Sequence, residues 1–237
     1  MAPRLDGRRA VVTGGTRGVG RATSLALARA GADVLACYRS DDTAAARLDG
    51  CATVRADLST GAGRDRVVAA VREHLGGIDI LVNNFGTYRP APLAAMSAPE
   101  LTESLHTNLT AHLLLTQALL GLLADGASIV NLGAGMAERG RPAHVAFTSA
   151  KAGLVGGTRS LAKELAPRRI RVNTVAPGVV ETERGIDLPP PVRESLLAAI
   201  PLRRFVTAGD VANVVLFLAS DLAGGVSGAT VKVDGGI

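Results

Sequence analysis

At 237 residues with 47% hydrophobic content, the chain is long enough for one sizeable core and too apolar for a disordered segment. Only 3% of residues are aromatic and none is Trp, which argues against a base-stacking nucleic-acid platform. The net charge of +5 comes from scattered arginines, with Lys only at positions 151, 163 and 232, so it reads as a basic surface.

Cys37 and Cys51 form no CxxC pair, and a reducing cytoplasm is the expected setting. The residues from Met1 to Asp6 carry no signal-like apolar stretch, and the apolar run from Leu113 to Ala124 is too short for a bilayer.

The first predicted strand, Arg9–Thr13, runs into Thr13-Gly14-Gly15-Thr16-Arg17-Gly18-Val19-Gly20, which opens a helix over Gly18–Ala30. Glycines at such a strand-to-helix turn let backbone approach a pyrophosphate, and the helix start offers free N–H groups. A second strand, Asp33–Tyr38, ends in Arg39-Ser40 where a carboxylate would favour NAD. Arg39, helped by Arg17, can pair with a 2′-phosphate, so NADP(H) is the expected cofactor. Further strands are expected at Thr53–Ala56, Ile78–Asn83, Ser128–Leu132, Arg171–Val175 and Thr230–Val233. Helices are expected at Arg64–Leu75, Pro99–Leu123, Val145–Ala166 and Ala208–Ala219. Continuously apolar runs such as Ile80-Leu81-Val82 are those of strands covered on both faces. The alternation predicts one α/β domain over residues 1–237, a parallel sheet of about seven strands with helices on both sides. Pro189-Pro190-Pro191 is expected to break a surface lobe.

Several motifs occur in one order: the glycine turn, Asn83-Asn84-Phe85-Gly86, Asn108, Lys151, Pro177-Gly178 with Thr182, and Val233-Asp234-Gly235-Gly236. Together they resemble the classical short-chain dehydrogenase/reductase family, near its bacterial 3-oxoacyl reductase branch, along essentially the whole chain. The resemblance implies a doubly wound Rossmann fold and a homotetramer with faces at the helices around Asn108 and Lys151. It places Gly14, Thr16, Arg17, Gly18, Val19 and Gly20 against the cofactor, Asp57 and Leu58 beside the adenine, and Asn83 and Gly86 in the ribose crevice. It gives Lys151 the nicotinamide ribose, Asn108 a water relay, and Thr182, after Pro177 and Gly178, the carboxamide. The region around 185–205, with Leu188, Leu196, Leu197 and Ile200, becomes an apolar substrate lobe.

The family also needs a Ser after the fifth strand and a Tyr four residues before the Lys. The Tyr protonates the carbonyl oxygen and the Ser holds it. Here those positions are Ala134 and Phe147, and neither can donate a proton. Three explanations follow. A substitute acid is the first: His144 lies seven residues before Lys151, on the same helical face, and Tyr88 lies in the loop after Gly86. Its substrate would be a carbonyl or conjugated C=C compound, either a small molecule or a carrier-bound acyl group. The second is a silent partner subunit in a hetero-oligomer with an intact paralogue. The third is a non-redox cyclase or isomerase. His74, His106, His112 and His144 lack metal-ligand spacing, so no metal site is expected. Glu138, Arg139 and Arg141 are expected at the pocket mouth or in a solvated loop.

Overall fold

The computed structural model describes residues 3–182 and 188–237. In chain order the elements are β1 (Arg9–Thr13), α1 (Gly18–Arg29), β2 (Asp33–Tyr38), α2 (Asp42–Ala46), β3 (Ala52–Arg55), α3 (Gly61–His74) and β4 (Ile78–Asn83). Then follow α4 (Ala98–Leu105), α5 (Ala111–Leu119), β5 (Leu123–Leu132), α6 (Met136–Arg139), α7 (Val145–Glu164) and β6 (Arg171–Pro177). The chain closes with β7 (Val180–Glu181), α8 (Pro190–Ala199), β8 (Val206–Thr207), α9 (Ala208–Ala219) and β9 (Thr230–Val233).

Seven strands form one parallel sheet in the order β3-β2-β1-β4-β5-β6-β9. The order reverses between β1 and β4, and a crevice opens beyond the carboxyl ends of those two strands, where ligands bind in such sheets. Strand alternation divides the core. Val11, Leu35, Leu81 and Ile129 face α3, α5 and α7, whereas Val12, Val34, Ile80 and Val130 face α1 and α9. Both faces are covered, which is why the strands read as unbroken apolar runs.

Four expectations change. The predicted helix Pro99–Leu123 is divided by a π-helical stretch, His106–Thr110, that sets Asn108 inward. The fifth strand begins earlier than predicted, at Leu123. Pro189–Pro191 does not break the lobe but starts α8, because proline's fixed φ and missing N–H suit a helix's first turn. Ile200, expected in the substrate lobe, is 1% exposed and packs in the core. Residues 185–187 of that lobe lie outside the described residues. Among the described residues, no helix is long and apolar enough to cross a membrane.

Candidate functional site

The turn after β1 is folded by its glycines. Gly14 and Gly18 have φ of 60° and 53°, and a Cβ on Gly20 would stand 2.0 Å from the Gly14 carbonyl oxygen. Arg17 precedes α1 without a side-chain cap hydrogen bond, and the positive dipole end of the helix faces the turn. The cleft at this point has a volume of about 460 Å³. Gly14, Thr16, Arg17, Arg39, Asp57, Leu58 and Gly86 all line it. Val19 and Gly20 lie directly below in the first turn of α1. Thr182 lies across the turn: its methyl group would be 3.5 Å from a Cβ on Gly18. A side chain at Gly20 would collide with the Gly14 carbonyl and the Asn84 amide, so only glycine lets α1 start this close to the turn, and a cleft lined by such a turn suits the phosphates of a dinucleotide.

The two arginines at the cleft rim differ. Arg17 is bound to Asp41 at 3.1 Å, and Asp41 also caps α2 through the Ala44 N–H. Arg39 is exposed and near Asp57. The Ser59 hydroxyl, assisted by the Arg39 charge, holds the Asp57 carboxyl below its ordinary value despite partial burial. Arg39 is therefore the cation better placed for an added phosphate, and Arg17 would first have to share Asp41.

Asn83 departs from expectation. Its side chain is fully buried and donates to Thr116 Oγ1 at 3.1 Å and Asn131 Oδ1 at 2.9 Å. Asn131 continues to Thr158, which meets Thr174, so a polar seam ties α5 and α7 to the sheet. The cleft-lining residue is the next one. Asn84 donates its amide to the Thr13 carbonyl at 2.9 Å and the Gly14 carbonyl at 3.2 Å, fastening β4 to the glycine turn. The period-2 rule already contained this: Asn83 shares a face with core-directed Leu81, so Asn84 points elsewhere. His106 was also missed. It lines the cleft and donates Nε2–H to the Ser59 carbonyl at 2.7 Å.

Behind Gly86 lies a second cluster. Asn108 accepts the Thr87 N–H at 3.1 Å and donates to the Ser104 carbonyl at 3.0 Å. A Cβ on Gly86 would stand 2.6 Å from Asn108 Oδ1 and 4.0 Å from Lys151 Nζ, so only glycine fits there. Lys151, inward-facing on α7, donates to the Leu132 carbonyl at 2.7 Å, and burial pushes its amine down to about 8. At the end of β6, Pro177 accepts the Gly135 N–H, and the Gly178 N–H reaches the Val233 carbonyl at 2.9 Å.

Phe147 is half-buried in the first turn of α7, with its ring 5.9 Å from Lys151 Nζ. Ala134 follows β5 between Gly133 and Gly135, whose N–H groups bond β6 carbonyls. The two suspected acids come together over Phe147: Tyr88 packs edge-on to its ring at 5.2 Å, and Tyr88 Oη bonds His144 Nε2. His144 does not lie on the helical face of Phe147 and Lys151. It is the residue before α7, with φ of −128° and ψ of 17°. Its Nδ1 meets the Pro142 carbonyl at 2.6 Å. A carbonyl only accepts, so Nδ1 carries a proton, which leaves Nε2 as the ring atom that faces the Tyr88 hydroxyl. The two loops are also joined by the Ala91 N–H and Ala143 carbonyl at 2.8 Å. Of the three mouth residues, Glu138 pairs with Lys232 at 2.5 Å and Arg139 with Asp234 at 3.5 Å, while Arg141 is exposed.

A family model described as enoyl-(acyl carrier protein) reductase matches residues 14–237. The chain is 40% identical to a 3-oxoacyl-(acyl-carrier-protein) reductase of Pseudomonas aeruginosa over 98% of both chains. It is 38% identical to the reductase of the same description from Aquifex aeolicus over 100% of both. Among solved structures, a short-chain dehydrogenase/reductase from Brucella melitensis superposes with a TM-score of 0.94 at 33% identity, covering 100% of this chain and 98% of that one. A short-chain dehydrogenase from Burkholderia cenocepacia in complex with NADP superposes with a TM-score of 0.92 at 31% identity, covering 98% of both.

Proposed function

The chain belongs to the classical short-chain dehydrogenase/reductase family of nicotinamide-dependent oxidoreductases, and on that premise we propose that it is an NADP(H)-dependent reductase whose proton comes from the Tyr88–His144 pair rather than from residue 147. The carrying observation is that hydrogen bond, formed between two loops directly against the Phe147 ring.

The bound dinucleotide would supply a hydride. Thr16, the N–H groups opening α1, Asn84 and Arg39 would grip its phosphate-bearing half, with Lys151 and Thr182 toward the nicotinamide end. The NADP held by the Burkholderia relative and the exposed position of Arg39 support the phosphorylated form. Tyr88 is 50% exposed and His144 only 6%, so the phenol is the group a substrate can reach. Tyr88 would give its proton to the carbonyl oxygen, or to the carbon left electron-rich when a conjugated C=C is reduced. His144, once protonated from solvent, would return a proton to Tyr88 through Nε2. The substrate class is a ketone or enone, as a small molecule or an acyl group on a carrier like those in the relatives' names.

NADPH oxidation by the purified protein with an activated enone and a ketone tests this. Tyr88→Phe and His144→Ala should each slow it by roughly 10²-fold, the size of a general-acid contribution. Rates unchanged in both variants would remove the pair from the mechanism.

A further inference from the structure

The π-helical turn His106–Thr110 reaches two walls of the cleft. Its third residue, Asn108, accepts the Thr87 N–H in the loop after β4, whereas its first, His106, crosses to the loop after β3. Half-buried His106 donates Nε2–H to the Ser59 carbonyl at 2.7 Å. That carbonyl also accepts from Arg64 at 3.2 Å, which ties the loop back onto its own helix, α3. Among the described residues, His106 makes the one hydrogen bond to Asp57, Leu58 or Ser59 from the α4–α5 side. The bonds continue from there. Both the N–H and the hydroxyl of Ser59 donate to Asp57 Oδ1, at 3.1 and 2.6 Å. Asp57 Oδ2 has no hydrogen-bond donor among the described residues, and Asp57, Leu58, Ser59 and His106 all line the cleft.

We propose that His106 is a positioning residue for base recognition: through Ser59 it aims the Asp57 carboxylate, so that the cleft takes a base bearing an exocyclic amine and rejects one bearing a carbonyl there. The inference rests on the dinucleotide reading of the cleft, under which the base lies against Asp57 and Leu58. A carboxylate oxygen only accepts, so adenine's amine would satisfy Oδ2. The ring carbonyl that hypoxanthine carries in the amine's place would instead set lone pair against lone pair. Without the His106 bond, Ser59 is held from the α3 side only, and the carboxylate it orients loses its fixed direction.

Calorimetry on the full chain with NADP+ and with its hypoxanthine analogue tests this. The wild-type protein should bind NADP+ roughly tenfold more tightly than the analogue. His106→Leu removes the donor and should weaken NADP+ binding by roughly fivefold to tenfold, the size of one lost hydrogen bond, while leaving the analogue nearly unchanged. His106→Gln keeps an N–H donor and should restore most of the preference. A general loosening of the fold would weaken both dinucleotides alike, so an unchanged ratio in His106→Leu would overturn the proposal. Ser59→Ala breaks the hydroxyl link without touching the π-helical turn and should lower the same ratio, which decides the question if the leucine variant does not fold. Equal binding of NADP+ and the analogue by the wild-type protein would also overturn it. Binding of neither would overturn the reductase reading itself, and this inference with it.

Discussion

Residue 147 carries a phenyl ring, so in the proposed reading the proton comes from another group. Ala134→Ser with Phe147→Tyr supplies the hydroxyls that the family uses beside Lys151, and ketone reduction should rise by roughly 10²-fold or more, measured as NADPH oxidation. At the other end of the cleft, Arg39→Asp should remove the attraction to a 2′-phosphate and place a carboxylate where a ribose hydroxyl binds. Calorimetry should then find NADH bound more tightly than NADPH, whereas a preserved NADPH preference would clear Arg39 of the role. That Ala134 and Phe147 stand where the family has its Ser and Tyr was read through the resemblance. The Tyr88–His144 contact was not legible: its members are 56 residues apart, and only the folded loops bring them together. Asn83 and Asn84 were distinguishable in principle by strand alternation, but a motif read as a block hides which of two identical residues faces outward.

Among the elements, α5 holds the feature with the sharpest consequence. His112 is fully buried, stacks on Phe85 with ring centroids 4.1 Å apart, and neither ring nitrogen finds a partner among the described residues. Burial, with the Lys151 charge, holds its pKa well below 6.5. An unfolded histidine takes up its proton near pH 6.5, so below that value only the unfolded chain gains one. Stability should thus be complete above about pH 6.5 and fall as the solution is acidified, approaching about 1.4 kcal/mol per pH unit from this group. Denaturant melts between about pH 7.5 and 5 should show the slope, and His112→Leu should flatten it. The pattern predicted the principal strands within a few residues because both faces of the sheet are buried. It could not place the π-helical turn at His106–Thr110, since no Gly or Pro marks it. Nor could it predict β7 and β8, two residues each, which pair with each other apart from the main sheet.

For the molecule as a whole, the alternation of strand and helix gave one parallel sheet and the resemblance made it doubly wound, while the order reversal between β1 and β4 in the structure places the cleft. Binding there should act on the entire fold. NADPH at a hundredfold excess over its Kd should add about 2.7 kcal/mol, raising Tm by roughly 5–10 °C for a chain of this size. Equal shifts from NADH at matched concentration would contradict the cofactor assignment. Light scattering of the protein alone, and again after mixing with a Tyr-bearing relative, would separate a self-sufficient oligomer from a subunit that needs another chain.

The bond between Ala91 and Ala143 has an evolutionary meaning. It fastens the loop bearing Tyr88 to the loop bearing His144, whereas Lys151 is anchored separately to the end of β5 through Leu132. Insertions or substitutions in the strapped loops can therefore reset the chemistry at the rim while the lysine keeps its seat.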